Sequence, residues 1–470
     1  MNSSFIARIL HAFRSKTQYL LRNDKMQSSK PIVVVLGATG TGKSKLAIDL
    51  CAHFDGEVIN ADSMQVYKGL SIVTNKVSKE EKNSVPHHLM DFLDPLISYT
   101  VVNYRNDSLP VIYSLLEKGK LPVIVGGTNY YIESLLWDVL INPENVTELV
   151  HERDEKLKNP NDFLLTVDNI RNIPLTKHST QDLSTEYLYD LLKQIDMKSA
   201  LEIHPNERRK ILRRLQIFQQ NGCTYSELVA RQRSLDGGCN LGGPLRYKNV
   251  IMLWLRCEKD VLKKRLNERA EKMMQQGLIE ELSDFHAKYN EKRLKEDKTA
   301  DYSEGIFQSI GFKEFHPYLL LDEETRRSAK GVELLEKCLE NMKTATKRYA
   351  NYQNKWVRNR FLGAADRQTP NIYALDTSDL EKWQSNVVNL AIDIVKSHIN
   401  KTSLPANCAP LQKTSKKSEN DKKTYFCEVC ERVFVGSDVW NFHQNSRRHA
   451  KIKKRKLREQ KDKNEISAKT

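Results

Sequence analysis

The chain has 470 residues, with 75 lysines and arginines against 60 acidic residues and a hydrophobic share of 39%. That length has room for about three domains, and the apolar share suits a folded chain with a sizeable core rather than a disordered one. The longest apolar runs, 32–36 and 250–255, fall well short of the roughly 20 residues of a membrane-spanning helix, which excludes a helical integral membrane protein. The basic excess is uneven: from Lys401 onward there are 18 basic and 8 acidic residues. A basic tail points to a polyanionic partner. Cys51, Cys223, Cys239, Cys257, Cys338 and Cys408 are scattered and read as reduced thiols of an intracellular protein. Cys427 and Cys430 are paired by spacing.

The first 23 residues contain Arg8, Arg14, Lys16 and Arg22 and no acid. Phe5, Ile9 and Phe13 fall at helical spacing. A basic amphipathic leader of this kind, over 1–28, predicts a mitochondrial presequence. Met26 follows, and initiation there predicts a second, cytosolic or nuclear form.

The β-branched run at 31–36 reads as a buried parallel strand. It enters Gly37-Ala38-Thr39-Gly40-Thr41-Gly42-Lys43-Ser44, the P-loop pattern. A helix follows, with Leu46, Leu50 and Phe54 on one face. Glycines let the backbone turn its N–H groups inward on a phosphate, and the helix dipole adds to the attraction. Lys43 supplies a point charge, and the Ser44 hydroxyl suits Mg²⁺. Two further strands end in polar residues. The run 57–60 leads into Ala61-Asp62-Ser63-Met64-Gln65, and 121–125 leads into Gly126-Gly127-Thr128-Asn129-Tyr130. Ligands of open α/β sheets sit beyond the carboxyl ends of the strands, so the loop, Asp62 and Thr128 are expected on one rim. The alternatives are an N-cap or an outer Mg²⁺ contact for Asp62, and an N-cap for Thr128. No apolar strand near the core ends in the carboxylate that a nucleotide hydrolase uses for Mg²⁺. That leaves a diphosphate cradle or a kinase.

The expected fold class is α/β: a P-loop parallel-sheet core with an inserted helical subdomain and a small ββα zinc finger. The core is expected over 30–140 and 246–365, the helical insert over 141–245, and an extension and linker over 366–424. A finger at 425–450 and a basic tail at 451–470 complete the chain. The finger reads Cys427-x2-Cys430-x12-His443-x5-His449, with Phe434 and Trp440 at its apolar positions. Two thiolates and two imidazoles suit tetrahedral Zn²⁺. A helix over 207–219 presents Arg208, Arg209, Lys210, Arg213 and Arg214, and arginine pairs phosphates and stacks on bases. Its alternative is a solvated helix face.

The P-loop, the segment 59–67 and Gly126-Gly127-Thr128-Asn129-Tyr130-Tyr131 together resemble the tRNA dimethylallyltransferase (tRNA isopentenyltransferase) family. Further matches are His204-Pro205-Asn206-Glu207-Arg208-Arg209-Lys210, the segment 305–314, and Lys347-Arg348-Tyr349-Ala350 with Gln353 and Trp356. The resemblance spans roughly 31–360 in order, and the finger resembles the eukaryotic members. It implies transfer of a dimethylallyl group from dimethylallyl diphosphate, with Mg²⁺, to the exocyclic N6 amine of the adenosine beside a tRNA anticodon. It implies Asp62 as general base and Thr128 as the residue orienting the amine and that base. Gly37, Thr39, Gly40, Thr41, Gly42, Lys43 and Ser44 would hold the diphosphate. Gln308 lies where bacterial relatives place a diphosphate-binding arginine, and a polar contact is expected from it. Asp62, Ser63, Met64 and Gln65 would hold the flipped base, and the basic helix the anticodon stem-loop. A monomer is expected. Two other readings stay open: a P-loop kinase without use for tRNA, and an RNA-binding finger protein with a regulatory nucleotide domain.

Overall fold

The computed structural model describes residues 30–138, 165–173, 175, 179–239, 241–290, 305–364, 366–413 and 423–467. The leader 1–28, the entry to the insert near residue 141 and part of the linker lie outside the described residues. The chain divides into two units, 1–138 with 245–415 and 139–244 with 416–470.

The first unit is built on a parallel sheet. Strand β1 (Ile32–Gly37) is buried along its whole length, as a strand covered on both faces must be. Helix α1 (Lys43–Phe54) returns the chain to β2 (Gly56–Asn60) and the short β3 (His87–His88). Helix α2 (Val101–Glu117) starts at Thr100, whose hydroxyl oxygen accepts the Asn103 N–H while Asn103 answers the Thr100 N–H. That reciprocal cap satisfies two donors the helix leaves open. Then come β4 (Leu121–Val125), α3 (Asn129–Leu136) and, after the insert, β5 (Val250–Arg256).

Helix α4 (Lys259–Gln275), the 28-residue helix α5 (Ala329–Trp356), β6 (Asn371–Asp376) and α6 (Leu390–Asn400) follow, with shorter helices that include Leu278–Phe285 and Phe312–Leu319. The strand order is β3-β2-β4-β1-β5-β6, and every pairing is parallel. From β1 the chain builds outward first on one side and later on the other. The carboxyl end of β1 is therefore the switch point where such sheets bind ligands.

Helices α1 and α6 cover one face, with Leu46, Leu50 and Val395 against Val33, Val35 and Leu253. Helices α2 and α3 cover the other, with Tyr104 and Ile132 against Val34, Leu36 and Trp254. Truncating fully buried Leu50 to alanine would cost about 2–5 kcal/mol. A third cluster joins α4 and α5 through Met273, Phe285, Phe312 and Met342. Met273 is buried in that cluster and Met274 is partly buried. Glu133 on α3 is buried and ion-paired to Arg360 at 2.8 Å and to Arg367 at 2.6 Å. Beneath them, the Arg367 guanidinium lies 3.7 Å from the centre of the Trp137 ring.

The sequence places the end of the core near residue 365. In the structure β6 pairs with β5, and α6 packs on the sheet behind it. Part of the segment read as extension and linker is therefore core.

The second unit holds helices Thr185–Ala200, Arg208–Asn221 and Tyr225–Ser234, joined through Leu188, Leu192, Ile211 and Leu215. It also holds the finger: β7 (Thr424–Cys427) antiparallel to β8 (Arg432–Val435), then helix Ser437–Gln444. The basic run does not prolong the finger helix. A break at Asn445 starts a separate helix, Arg447–Ser467, and His449 stands on that one. The five-residue spacing between the histidines accommodates the break.

Candidate active site

Three strand ends build the site. After β1 the chain turns through Gly42, at φ +86, where an added Cβ would fall 2.6 Å from the Trp383 ring. Only glycine combines that backbone with that approach. Lys43 Nζ and Thr41 Oγ1 both donate to the Ala38 carbonyl at 2.9 Å. Gly37 and Thr41 thus belong to the frame of the turn. Thr39, Gly40, Gly42, Lys43 and Ser44 line a cavity of about 280 Å³.

Asp62, after β2, lines that cavity as well. Its Oδ1 accepts the Met64 N–H at 2.9 Å, which fixes the carboxylate in a turn rather than at a helix cap. Burial pushes its pKa up, while the Met64 N–H, the Lys43 ammonium and Arg269 pull it back. Lys43 is itself lowered to about 8 by burial, with Asp62 opposing the shift and Arg269 adding to it. A buried carboxylate with a raised pKa beside fixed cations is an arrangement suited to proton abstraction.

After β4, Thr128 stands at the N-cap position of α3, but its hydroxyl does not cap the helix. Instead Thr128 Oγ1 accepts the Ser63 N–H at 3.0 Å and donates to Ser63 Oγ at 3.1 Å. The loop of β4 therefore holds the residue next to Asp62.

Ser63, Met64 and Gln308 line a second cavity of about 310 Å³, which shares Thr39, Asp62 and Arg269 with the first. Gln308 thus faces this second cavity, not the P-loop cavity. Its apolar wall includes Leu266, Met273 and Met342. The Gln65 amide donates to the carbonyls of Thr74 and Asn75, both at 3.0 Å, so it braces a loop.

Arg269 is not among the sequence candidates, and Gln353 is there only as a motif match without a role. Arg269 projects from α4 and donates to Thr39 Oγ1 at 2.9 Å. Burial lowers its pKa to about 10 and Asp62 opposes the shift, so it stays a cation at neutral pH. Gln353, on α5, accepts the Thr39 N–H at 2.7 Å and donates to the Gly127 carbonyl at 3.0 Å. Tyr349, one turn earlier, donates to the same carbonyl at 3.3 Å. An added Cβ on Gly127 would meet Gln353 Nε2 at 2.2 Å, so glycine is needed there. Arg269 shares its helix with Arg265 and four lysines, so nothing in the sequence singles it out.

The basic helix divides by role. Arg208 donates to the carbonyls of Leu183 and Thr180, and Arg214 donates to that of Ser199 and covers the Tyr225 ring at 4.6 Å. Those two arginines hold their own unit together. Arg209 and Lys210 are exposed, with Lys210 3.1 Å from Glu207, and Arg213 is half-buried.

In the finger, one ligand atom each from Cys427, Cys430, His443 and His449 lie within 4.8 Å of one another. The His443 Nε2 is buried and has no hydrogen-bond partner among the described residues. Phe434 stacks on His443 at 3.9 Å and Tyr425 on Trp440 at 5.4 Å. Two sulfurs and two ring nitrogens at this spacing fit Zn²⁺.

Comparison with known proteins agrees with this geometry. A profile described as IPP transferase matches residues 65–360, and one described as zinc-finger of C2H2 type matches 425–449. The chain is 41% identical to a Homo sapiens protein named tRNA dimethylallyltransferase, over 92% of this chain and 88% of that protein. A protein of the same name from Saccharomyces cerevisiae is 30% identical, over 92% and 94%. Among solved structures, a eukaryotic dimethylallyltransferase acting on tRNA is similar at a TM-score of 0.72 and 30% identity, covering 93% of this chain and 99% of that one.

Proposed function

The chain belongs to the tRNA dimethylallyltransferase family, and from that premise we propose that it transfers a dimethylallyl group from dimethylallyl diphosphate to the N6 amine of adenosine 37 in tRNA. The observation that carries the reading is the shared wall of the two cavities. Asp62 and Arg269 line both, between a phosphate cradle and an apolar wall.

The chemistry follows from that placement. The N6 nitrogen forms a bond to C1 of the dimethylallyl group, and the bond from C1 to the diphosphate oxygen breaks. The amine is a weak nucleophile, and Asp62 takes its proton. The leaving diphosphate gathers charge, which the P-loop N–H groups, Lys43 and Arg269 offset. The Ser44 hydroxyl, a hard oxygen donor lining the same cavity, would hold Mg²⁺ arriving with the diphosphate, which would add to the charge neutralisation. Thr128 holds the Asp62-Ser63 turn through Ser63. The target base must leave its stack to reach the cavity, with Ser63 and Met64 on its side and Gln308 as a polar contact. Gln65 lines the P-loop cavity and braces the loop at Thr74 and Asn75. Arg209 and Lys210, the exposed members of the basic helix, meet the anticodon stem together with half-buried Arg213. Arg208 and Arg214 shape that surface from behind. The finger binds Zn²⁺ as a structural ion and supports tRNA binding, and the enzyme works as a monomer.

The test is one incubation of the full chain with tRNA, Mg²⁺ and labelled dimethylallyl diphosphate, beside a parallel tube with labelled ATP. Label entering RNA from the prenyl donor is expected. Phosphate transfer from ATP to a nucleotide, with no prenyl label in RNA, would overturn the reading.

The basic leader supports a mitochondrial address, with Met26 starting a form that lacks it. Met26→Ala should then leave one form, in mitochondria. Two unchanged forms would contradict it.

A further inference from the structure

From residue 341 to 365 the chain carries six lysines and arginines and no acidic residue. Two basic residues of this stretch are committed internally: Lys343 to Glu271 and Glu340, and Arg360 to Glu133. Arg348, Lys355 and Arg358 are exposed and have no acidic partner among the described residues. On α5, Arg348, Tyr352 and Lys355 follow one another at four and three residues, so they share a single stripe.

Aromatic rings adjoin that stripe. Tyr352 is 55% exposed and Tyr130 53% exposed. Between them lies Trp356, with ring centres 5.7 Å from Tyr352 and 6.2 Å from Tyr130. The Arg360 guanidinium covers Trp356 at 4.7 Å and is held by buried Glu133. A single exposed tyrosine needs no explanation. Two exposed tyrosines on either side of one tryptophan, on a fixed base and beside unpaired cations, are a different case. The ledge also adjoins the reaction site. Tyr130 is two residues beyond Thr128. On α5, Tyr349 and Gln353 flank Tyr352 in sequence, and both donate to the Gly127 carbonyl.

We propose that Tyr130, Trp356 and Tyr352 form a stacking ledge for the unpaired RNA bases that flank the reacting adenosine, with Arg348 and Lys355 on the adjoining phosphates. The proposal rests on the tRNA reading and adds where the displaced loop is held. The charge argues for RNA over protein: Lys355 is of a type depleted from protein interfaces, while a basic stripe beside stacked rings suits a polyanion. Base stacking on aromatic rings, beside a basic groove, is the usual way to hold a single strand.

The experiment measures binding of a labelled anticodon stem-loop to the full chain by fluorescence anisotropy, without prenyl donor. Tyr352→Ala should weaken binding about fivefold or more, fivefold being the low end of the loss per stacked base. Tyr352→Trp should keep wild-type affinity, because stacking uses the ring and not the hydroxyl. Arg348→Ala with Lys355→Ala should lower the slope of log affinity against log salt by about 1.4, for two single-strand phosphate contacts. The KM for dimethylallyl diphosphate should stay unchanged in all three variants. Unchanged binding in Tyr352→Ala would overturn the ledge, as would Tyr352→Trp binding as weakly as the alanine variant. Because the assay uses no donor, a wild-type chain that binds the stem-loop but transfers no prenyl group would contradict the assigned reaction and not the ledge.

Discussion

The backbone N–H of Thr39 donates to the side-chain oxygen of Gln353 at 2.7 Å. The same carboxamide donates to Gly127 at 3.0 Å. One buried side chain thus ties the phosphate loop after β1 to the loop after β4 that carries Thr128. Gln353 is a positioning residue: it acts through the two loops. Gln353→Ala should lower kcat/KM for the prenyl donor about tenfold, in line with the loss of buried hydrogen bonds. Gln353→Glu should fall further, since a carboxylate cannot donate to Gly127 and repels the diphosphate. If Gln353 works through Thr128, adding Gln353→Ala to Thr128→Ala should cost little more than Thr128→Ala alone. Fully additive losses would remove that coupling.

Donor binding should depend on pH through Lys43, whose pKa burial lowers to about 8. Below that value the empty site carries the ammonium. Above it the site loses a positive charge, so KM for dimethylallyl diphosphate should rise. A bound diphosphate favours the charged amine, so binding above about pH 8 should take up a proton. Titration calorimetry in two buffers of different ionisation heat reads that uptake. A KM that stays flat from about pH 7 to 9.5 would contradict the assignment.

The legible parts of the site were local in sequence. Gly37 to Ser44, Asp62 with Ser63, and Gly127 with Thr128 each follow a β-branched strand within a few residues, so spacing alone placed them on one rim. Arg269 and Gln353 reach the same loop from helices whose patterns report only amphipathicity. Nothing near either residue signals that its tip meets Thr39. Strand β6 was obscured because Ile372 to Leu375 is short and follows Pro370, in a stretch whose composition resembles a linker. Arg208 and Arg214 show the opposite failure. A run of like charge looks like a binding face, yet these two donate to carbonyls of their own unit.

The buried Glu133 should matter for stability more than for chemistry. Its carboxylate meets Arg360 and Arg367, and Arg367 is 1% exposed. Glu133→Gln keeps the shape and leaves the Arg367 charge uncompensated, at a cost of about 3–5 kcal/mol. Thermal melting should fall accordingly. A melting point within a degree or so of wild type would show that the arginines find other partners.

Metal analysis should find one zinc ion per chain, lost in Cys427→Ser. A module of this size has little core without its metal, so chelation should unfold the finger and weaken stem-loop binding. At saturating tRNA the single-turnover transfer rate should persist. A chemical step that disappears with the zinc would give the finger a role in the reaction itself.

The proposed removal of the amine proton by Asp62 is tested most directly by single-turnover transfer with Asp62→Ala, beside anisotropy of the stem-loop on the same variant. Transfer should fall by about 100-fold or more, with stem-loop affinity close to wild type. Transfer at the wild-type rate in Asp62→Ala would contradict that role.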